Sequence, residues 1–307
     1  MEFKHILSVE QFDQNSILEI FDKTREYKQK IENEQSIINL NNLGKTAISL
    51  FYEPSTRTRL GFETDVAKLG YSVISTENAA QFSSAIKGET IEDTIKVLNG
   101  YDPKFIIIRH NEVGMVDRAA KVSDVPIINA GDGSGEHPTQ AFIDLFTIHD
   151  CFKKTEDLKI TFGGDLKYGR TVRSLAKILS IYKNNQLTFL SIPELRIEDD
   201  VKNYLKNNNT SYLETDNLKE ALNEADVIYW TRIQKERFNS DNLKSNPYIL
   251  NNETLKYIKE RAIILHPLPR GEEINPEIDG DKRAKYFIQS KNGLYVRLAL
   301  IDLVTKK

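Results

Sequence analysis

Hydroxyl residues and arginines are concentrated in one short segment of this chain, Glu53–Arg59, which reads E-P-S-T-R-T-R. The segment follows an apolar run ending at Tyr52, so Pro54 should restrict the turn and the hydroxyl residues should begin a helix. Unpaired backbone N–H groups and the helix dipole attract anions there, and a guanidinium donates a fork of hydrogen bonds to phosphate. The segment therefore predicts a phosphate site, with a capped helix bearing solvated arginines as the alternative.

The two arginines of this segment are expected to differ in role. Because Arg57 and Arg59 are two residues apart, a helix turns their side chains to nearly opposite sides. We assign Arg57 to the anion and Arg59 to a structural ion pair. Two arginines so close to a helix N-terminus oppose the helix dipole, which indicates that an anion or a carboxylate such as Glu53 offsets their charge.

A glycine-rich segment, Gly131–Gln140, could place a histidine against a substrate. Its glycines let the backbone pass close to a ligand, and Pro138 suits the first turn of a helix, which puts His137 at the cap. A helix N-terminus disfavours a charged imidazole, so His137 should be neutral and able to donate a hydrogen bond to a carbonyl oxygen. Gln140 follows one turn later, beside it. The alternative is a histidine with a structural role.

Four other polar segments are ordinary surface loops when each is taken singly. Gln81–Thr90 leads into a helical pattern. Phe162–Arg170 lacks the G-x-G-x-x-G spacing of a dinucleotide loop, which argues against nicotinamide binding. Trp230–Arg237 presents an arginine and a glutamine on one side of an extended chain. Leu265–Arg270 contains two prolines, which fix the backbone and leave carbonyl groups free. The last three segments together place cationic and carbonyl groups on one edge of a sheet.

The elements that must hold these segments alternate between two periods. Helical patterns such as Arg170–Tyr182, with apolar residues at three- and four-residue steps, separate short runs rich in β-branched residues. This alternation predicts an α/β fold of two doubly wound parallel-sheet domains joined by interdomain helices. Ligands of such sheets bind beyond the carboxyl ends of the strands. The predicted strands are Thr46–Tyr52, Phe105–Arg109, Pro126–Ala130, Leu158–Phe162, Leu187–Leu190, Val227–Thr231 and Ala262–Leu265.

The length and the helical ends suggest the domain organisation. At about 150 residues per domain, 307 residues predict two domains. We place the first at 1–150, with a C-terminal helix (292–307) packing back on it, and the second at 151–291. Ser8 and Gln11 have the spacing of a capping box, which predicts that the first helix begins there.

The composition excludes several classes of protein. A net charge of −3, from 42 basic and 45 acidic residues, provides no field for nucleic acid or an anionic membrane. The single cysteine, Cys151, excludes a disulfide framework and a cysteine-rich zinc module. The N-terminus lacks the apolar core of a signal peptide, and no apolar run is long enough to span a bilayer. We expect a cytoplasmic protein, and the motifs indicate no metal and no cofactor.

Seven motifs, taken in order from about Lys45 to Arg270, resemble those of the catalytic chains of the aspartate carbamoyltransferase family. They are S-T-R-T-R, S-x-x-x-K-G-E-T, R-H, H-P-T-Q, G-D-L-K-Y-G-R, T-R-x-Q-K-E-R and H-P-L-P-R. Each motif is weak alone, but the ordered series is specific. The resemblance implies transfer of the carbamoyl group of carbamoyl phosphate to the amine of L-aspartate in pyrimidine biosynthesis, by direct attack without a covalent intermediate.

The resemblance also implies a role for each matching residue. The first domain would bind carbamoyl phosphate and the second aspartate. Thr58, Arg109, His137 and Gln140 would be the catalytic residues. The full set comprises Ser55, Thr56, Arg57 and Thr58 for the phosphate; Thr58, Arg109 and His137 for the carbonyl oxygen; Gln140 and the backbone of Pro267 and Leu268 for the carbamoyl amide; Arg170, Arg232 and Gln234 for the aspartate carboxylates; and Ser83 and Lys87 reaching in from a neighbouring subunit.

A shared site of this kind implies a homotrimer, and the resemblance leaves room for separate regulatory chains. Two alternative functions stay open. A carbamoyltransferase for another amine, such as ornithine, typically carries a cysteine in the motif that reads H-P-L-P here, whereas Pro267 and the arginine-rich acceptor side favour aspartate. A non-catalytic phosphometabolite-binding protein could keep the fold, but it has no need of groups at the carbonyl. The intact set argues against it: Thr58, Arg109, His137 and Gln140.

Overall fold

The computed structural model describes residues 3–82, 84–234 and 248–306. They form two compact units. Unit 1 comprises Met1–Thr139 with Gly293–Lys307, and unit 2 comprises Gln140–Asn292. Each unit contains one parallel sheet with helices, which confirms the predicted α/β class.

Unit 1 is built on a sheet whose aliphatic residues form its core. Ile106 and Ile127 of the strands are fully buried and cluster with Ile95 and Val116 from two helices. The strands are Thr46–Phe51 (β1), Ser72–Thr76 (β2), Ile106–His110 (β3) and Ile127–Asp132 (β4), in the order β2-β1-β3-β4. The helices are Gln14–Glu32 (α1), Thr56–Lys68 (α2), Ala79–Phe82 (α3), Ile91–Asn99 (α4), Met115–Val122 (α5) and Pro138–Phe152 (α6), the last of which leads into unit 2.

Unit 2 repeats this plan. Ile228, Trp230 and Ile264 of its sheet are buried together with Leu222 of a helix. The strands are Lys159–Gly163 (β5), Gln186–Leu190 (β6), Ser211–Thr215 (β7), Val227–Trp230 (β8) and Ile263–Leu265 (β9), in the order β7-β6-β5-β8-β9. The helices are Arg170–Leu179 (α7), Asp199–Asn207 (α8), Leu218–Asn223 (α9) and Tyr286–Thr305 (α10), the last of which returns to unit 1.

The strand order of each sheet creates one position for a ligand. In unit 1, β2 lies on one side of β1 at the edge of the sheet, and β3 and β4 lie on the other side of β1. In unit 2, β6 and β7 lie on one side of β5, and β8 and β9 lie on the other. The connections therefore diverge between β1 and β3 and between β5 and β8, which opens a crevice at the carboxyl ends of these strands.

Every predicted strand is present, but β2 and β7 were not predicted. Both are edge strands whose residues are mostly exposed or half-buried, so neither has the continuous apolar run of a central strand. The unit boundary lies near the start of α6, whereas the sequence-based division at residue 150 falls near the end of that helix. In the part of the chain that the structure describes, no helix is both long and apolar enough to cross a membrane.

The N-terminal capping box forms, but it does not begin the first long helix. Ser8 and Gln11 cap only the 3₁₀ turn Val9–Gln11. Helix α1 begins after Asp13, whose side chain accepts a hydrogen bond from the backbone N–H of Ser16. The prediction was wrong by about one turn, because a second capping box follows the first immediately.

The last part of α10 is held within unit 1 by Arg297. Its Nε donates a 2.6 Å hydrogen bond to the buried carboxylate of Asp65 on α2, and its guanidinium lies over the ring of Phe62. A Cβ at residue 61 would come within 2.6 Å of Arg297 Nη2, so Gly61 makes room for this pair. Removing one partner of a buried ion pair typically costs about 3–5 kcal/mol.

Candidate active site

The predicted phosphate segment connects β1 to α2 at the carboxyl edge of the first sheet. Ser55 is the N-cap of α2, and its side chain makes no capping hydrogen bond. Thr56, Arg57 and Thr58 form the first turn, which contains no acidic residue. This helix N-terminus thus presents hydroxyl and backbone N–H groups without a carboxylate in its own first turn, as an anion site requires.

The two arginines of this segment separate as predicted. Arg59 Nη2 lies 2.9 Å from Glu77 Oε2, and its Nη1 lies 3.5 Å from Glu63 Oε1, which confirms the structural ion pair. Arg57 forms no ion pair with any residue in the described ranges. Partial burial lowers the pKa of the Arg57 guanidinium, because a charge removed from water without a counterion is disfavoured. A bound anion would reverse that effect.

Strand β3 brings Arg109 to the same loop. Phe51 of β1 is in register with Arg109, and Tyr52 N–H donates a 2.8 Å hydrogen bond to its carbonyl. The Arg109 Nη2 lies 2.8 Å from Glu53 Oε2, and its Nη1 donates to the carbonyl of Ala130 at 3.4 Å. Glu53 therefore pairs with Arg109, and the carboxylates that offset the charge of Arg59 are those of Glu77 and Glu63. The expectation of a carboxylate beside these arginines is thus met at Arg59, although not by Glu53.

His137 lies at the end of the next loop, directly before α6, and is buried. Thr139 Oγ1 lies 3.3 Å from its Nδ1. The preceding Glu136 anchors the loop, since its carboxylate accepts hydrogen bonds from the Ser8 hydroxyl and the Val9 N–H, both at 3.0 Å. The predicted placement of His137 at the beginning of a helix is confirmed.

The lysine segment is not joined to this cluster. Lys87 ends the 3₁₀ turn Ser84–Lys87 and is exposed, and no hydrogen bond or ion pair links it to the other residues that the structure describes. Ser83 lies outside the described residues.

In unit 2, a buried aspartate ties two candidate segments together. Asp165 Oδ1 accepts a hydrogen bond from Tyr168 N–H at 2.9 Å, and its Oδ2 accepts one from Gln234 N–H at 3.1 Å. Gln234 Nε2 also donates to the carbonyl of Tyr168 at 3.0 Å. A Cβ at Gly164, which has φ +103°, would lie 2.1 Å from the Thr231 carbonyl, so only glycine allows this approach.

The arginines of these two segments follow neighbouring strands. Arg170 is buried and begins α7 after β5, while Arg232 follows β8 and is half-buried. Gly163 of β5 is in register with Trp230 of β8, which brings the two segments to the same sheet edge. The predicted grouping of cationic residues there is confirmed.

The H-P-L-P segment follows β9, which pairs with β8. Leu268 N–H donates to His266 Nδ1 at 2.8 Å, so the proton of the neutral ring is on Nε2, 2.9 Å from Glu273 Oε1. Leu268 has φ +54° and is followed by a cis peptide bond to Pro269. This local hydrogen bonding fixes the backbone of Pro267 and Leu268.

Gln140, early in α6, belongs to a buried hydrogen-bond network of unit 2. Its Nε2 donates to Asp144 Oδ1 at 2.7 Å. Gln289 Nε2 donates to the same oxygen at 2.6 Å, and the Tyr229 hydroxyl donates to Oδ2 at 2.8 Å. Gln289 Oε1 in turn accepts from His266 N–H at 2.8 Å. The network thus links two of the segments predicted to hold one chemical group.

Sequence reasoning missed three of these connections. Asp165 and Asp144 are single acidic residues whose burial nothing in the sequence signals. The Gln140–Asp144 spacing of four residues could have indicated a contact along a helix. Gln289 is 145 residues from Asp144 and offers no local signal. Among the described residues, no group of His, Cys, Asp and Glu side chains could hold a metal ion.

Two family models together match almost the whole chain. The aspartate/ornithine carbamoyltransferase carbamoyl-P binding domain matches residues 4–150, and the Asp/Orn binding domain matches residues 156–304. The chain is 44% identical to the chloroplastic aspartate carbamoyltransferase of Arabidopsis thaliana, over 99% of this chain and 78% of the relative. It is also 44% identical to the aspartate carbamoyltransferase catalytic subunit of Methanocella arvoryzae, over 99% and 97% of the two chains.

Solved structures show the same similarity. The catalytic subunit of M. jannaschii aspartate transcarbamoylase superposes with a TM-score of 0.89 at 41% identity, and 98% of each chain is covered. The Trypanosoma cruzi aspartate transcarbamoylase in complex with N-(phosphonacetyl)-L-aspartic acid gives a TM-score of 0.90 at 34% identity, covering 98% of this chain and 95% of that chain.

Proposed function

This chain belongs to the aspartate/ornithine carbamoyltransferase family, and we propose how its own residues carry out the reaction of the aspartate members. The reaction transfers the carbamoyl group of carbamoyl phosphate to the amine of L-aspartate and gives N-carbamoyl-L-aspartate and phosphate. The observation that carries the proposal is the position of Arg109, which the β1–β3 register brings to the helix N-terminus that presents Ser55–Thr58. The anion site at the start of α2 suits the phosphate group of an acyl phosphate, and the guanidinium of Arg109 beside it suits the carbonyl oxygen.

Unit 1 holds the phosphate and the carbonyl oxygen. The Ser55, Thr56 and Thr58 side chains, the guanidinium of Arg57 and the N–H groups of the first turn of α2 bind the phosphate. The absence of an ion pair on Arg57 among the described residues, and the lowered pKa of its guanidinium, support this assignment. Thr58, Arg109 and His137 donate to the carbonyl oxygen.

His137 can act as a neutral donor. If the Thr139 hydroxyl donates to Nδ1, the single proton of the neutral ring lies on Nε2 and can be donated. Preorganised donors aimed at an oxygen on which negative charge develops supply a large share of the acceleration in such reactions, and losing one typically costs about 10²–10³ in kcat.

Unit 2 holds the amide and the acceptor. Gln140 and the carbonyl groups of Pro267 and Leu268 accept hydrogen bonds from the carbamoyl NH₂. The side chains of Arg170, Arg232 and Gln234 bind the two aspartate carboxylates. Binding a dicarboxylate requires two guanidinium groups, one for each carboxylate. The hydrogen bonds of Asp165 to Tyr168 N–H and Gln234 N–H hold together the two segments that contain these residues, which supports the assignment.

The chemistry requires no covalent intermediate. The aspartate nitrogen attacks the carbonyl carbon, the bond from that carbon to the bridging phosphate oxygen breaks, and the departing phosphate takes up the proton that the amine releases. Negative charge develops first on the carbonyl oxygen and then on the departing phosphate. The hydrogen-bond donors and cations of unit 1 stabilise the negative charge at both positions. Electrostatic stabilisation is therefore the main contribution to the rate acceleration.

The active enzyme is a homotrimer in which Ser83 and Lys87 of one subunit complete the site of its neighbour. The exposure of Lys87 supports this proposal, since the side chain is free to reach another chain. Unit 1 also exposes several large aliphatic residues that an interface could cover: Ile38, Leu40, Leu43 and Ile74. A role in pyrimidine biosynthesis follows from the product, while the cytoplasmic location and separate regulatory chains remain predictions.

A direct assay tests the activity. Purified protein with carbamoyl phosphate and aspartate should release phosphate and form carbamoyl aspartate, and ornithine in place of aspartate should give no product above background. Turnover with ornithine alone would assign the chain to the other acceptor. Binding of carbamoyl phosphate without turnover of either amine would indicate a non-catalytic binding protein.

A further inference from the structure

A fully buried carboxylate in unit 2, Asp144, has three hydrogen-bond donors and no cation. Gln140, Gln289 and Tyr229 donate to it, and no ion pair with Asp144 forms among the residues that the structure describes. Burial raises the pKa of Asp144 to about 7. An acidic group kept at such a cost, and in contact with a residue assigned to the substrate, is a candidate for a functional role.

The directions of the hydrogen bonds in this network are fixed by two groups. The backbone N–H of His266 can only donate, so Gln289 receives it with Oε1 and turns its Nε2 to Asp144. Because Gln289 Nε2 donates to Asp144 Oδ1, this oxygen acts as an acceptor, so Gln140, which contacts the same oxygen, must also present its Nε2. The reverse orientation of Gln140 would bring its amide oxygen against a carboxylate oxygen.

This orientation decides which atom of Gln140 is presented to a ligand. Gln140 is half-buried, and its Oε1 accepts no hydrogen bond from any donor in the described part of the chain. An amide oxygen accepts from N–H groups and repels a carbonyl oxygen. Of the two ends of a carbamoyl group, only the NH₂ end donates. The oriented Gln140 can therefore distinguish the two ends.

The same network reaches the second amide-binding segment. Gln289 connects Asp144 to the backbone of His266, the residue before Pro267 and Leu268. The proposed function assigns the carbonyl groups of Pro267 and Leu268 to the carbamoyl NH₂. The Asp144 carboxylate is thus connected to both groups of acceptors for that NH₂: directly to Gln140, and through Gln289 to the segment that contains Pro267 and Leu268.

We propose that Asp144 is a positioning residue, which holds the Gln140 side chain with its oxygen towards the carbamoyl NH₂ and thereby makes the site select carbamoyl phosphate over an acyl phosphate without N–H groups. The inference rests on the proposed role of Gln140. A site built to hydrogen-bond one group rejects an analogue lacking it, because its polar atoms are then left unpaired.

The test compares carbamoyl phosphate with acetyl phosphate, which carries a methyl group in place of NH₂. Asp144→Leu keeps the branching and the number of heavy atoms of the side chain and removes both acceptor oxygens. We expect its KM for carbamoyl phosphate to rise about tenfold, while the inhibition constant of acetyl phosphate changes less than about twofold. The ratio of these two constants measures selectivity for the NH₂ group.

Asp144→Asn should rescue this selectivity. Its Oδ1 can still accept from Gln140 and Gln289, and its Nδ2 can donate to the Tyr229 oxygen, so the orientation of Gln140 is kept. Tyr229→Phe is the matched control, since it removes one hydrogen bond to Asp144 without touching Gln140. Both variants should keep the wild-type ratio within about twofold.

Several results would overturn the proposal. One is an equal rise of both constants in Asp144→Leu, which would indicate a general loosening of the site. A second is a loss of selectivity for the NH₂ group in Asp144→Asn. A third is a loss of selectivity in Tyr229→Phe that is as large as the loss in Asp144→Leu. If Asp144→Leu does not fold, the double variant Asp144→Leu/Tyr229→Phe can replace it, because it leaves one fewer buried donor without an acceptor. Asp144→Asn tests the proposal in either case.

Gln140→Ala separates this inference from the proposed function. If Gln140→Ala leaves the ratio unchanged, Gln140 does not bind the NH₂ group, and its proposed role is wrong. If Gln140→Ala lowers the ratio and a folded Asp144→Leu does not, the role of Gln140 stands and only the positioning role of Asp144 fails.

Discussion

The guanidinium of Arg109 is ion-paired with Glu53, with Nη2 lying 2.8 Å from Oε2, and Glu53 belongs to the loop that leads into α2, the helix proposed to bind phosphate. A single carboxylate therefore connects the residue proposed to stabilise the carbonyl oxygen with the segment proposed to bind phosphate. The pair forms because β1 and β3 are neighbours in the sheet, which places Arg109 beside the loop that follows β1.

Glu53→Gln should lower kcat about ten- to a hundredfold, because Arg109 loses the partner that holds it at the site. Steady-state kinetics with both substrates measure this effect. Since Glu53 acts through Arg109, the double variant Glu53→Gln/Arg109→Ala should be no slower than Arg109→Ala. Glu77→Gln, which removes the partner of Arg59, is the control and should stay near wild type. Multiplicative losses in the double variant would show that Glu53 acts independently.

Arg232→Ala should raise the KM for aspartate about ten- to a hundredfold, since a hydrogen bond to a charged group contributes about 1.5–3 kcal/mol. The KM for carbamoyl phosphate should change little, because the proposed phosphate site lies in unit 1. Initial rates at varied concentrations of each substrate give both constants. Arg261→Ala, at an exposed arginine on the amino edge of the same sheet, is the matched control. An equal rise of both constants would contradict the division of roles.

His137→Ala should slow turnover about a hundredfold and leave both KM values nearly unchanged, because the lost hydrogen bond strengthens as charge develops on the carbonyl oxygen. Thr139→Val removes the hydroxyl beside Nδ1 at similar volume and should cause a smaller loss of the same kind. Single-turnover rates with bound carbamoyl phosphate isolate the chemical step. An unchanged rate in His137→Ala would remove this residue from the mechanism.

The proposed shared site predicts that mixing the Arg57→Ala and Lys87→Ala variants under conditions that exchange subunits restores activity. Each variant alone should be nearly inactive. In a random equal mixture about a quarter of shared sites receive Arg57 from one chain and Lys87 from its neighbour, so recovery should approach that fraction of wild-type activity. Chromatography of differently tagged chains confirms exchange. Exchange without any recovery would place both residues in a site made by one chain.

The stability of the protein should depend on pH through Asp144. Burial raises its pKa from 3.8 to about 7, so between these values the folded chain keeps a proton that the unfolded chain releases. This proton contributes fully to the free energy of unfolding below the pKa of Asp144 in the unfolded chain. The contribution is lost as the pH rises through about 7. The melting temperature of Asp144→Asn relative to wild type should therefore increase from about pH 5 to about pH 8, by at most about 1.4 kcal/mol per pH unit in free energy.

The exposed Asp124 supplies the control for this experiment, and Asp124→Asn should show no comparable trend. A difference between Asp144→Asn and wild type that stays constant with pH would show that Asp144 is ionised throughout this range in the folded protein.

Much of the fold and the location of the site could be predicted from local sequence. Central strands such as β3 carry continuous apolar runs, and Pro138 marks the beginning of α6, so periodicity alone places them and the loops between them. The edge strand β2 could not be found in this way, because its residues are mostly exposed and its pairing with β1 depends on a partner distant in sequence.

The amino-acid sequence by itself determined which residue types follow which strands: the hydroxyl and arginine segment after β1, the histidine before α6, and the arginines after β5 and β8. Those are local properties of turns and helix ends. Only the tertiary structure decided that Glu53 pairs with Arg109 and that Asp144 joins Gln140 to Gln289. Such partners depend on which strands are neighbours and on which carboxylates are withdrawn from water, and the energies that select them act between residues far apart in the chain.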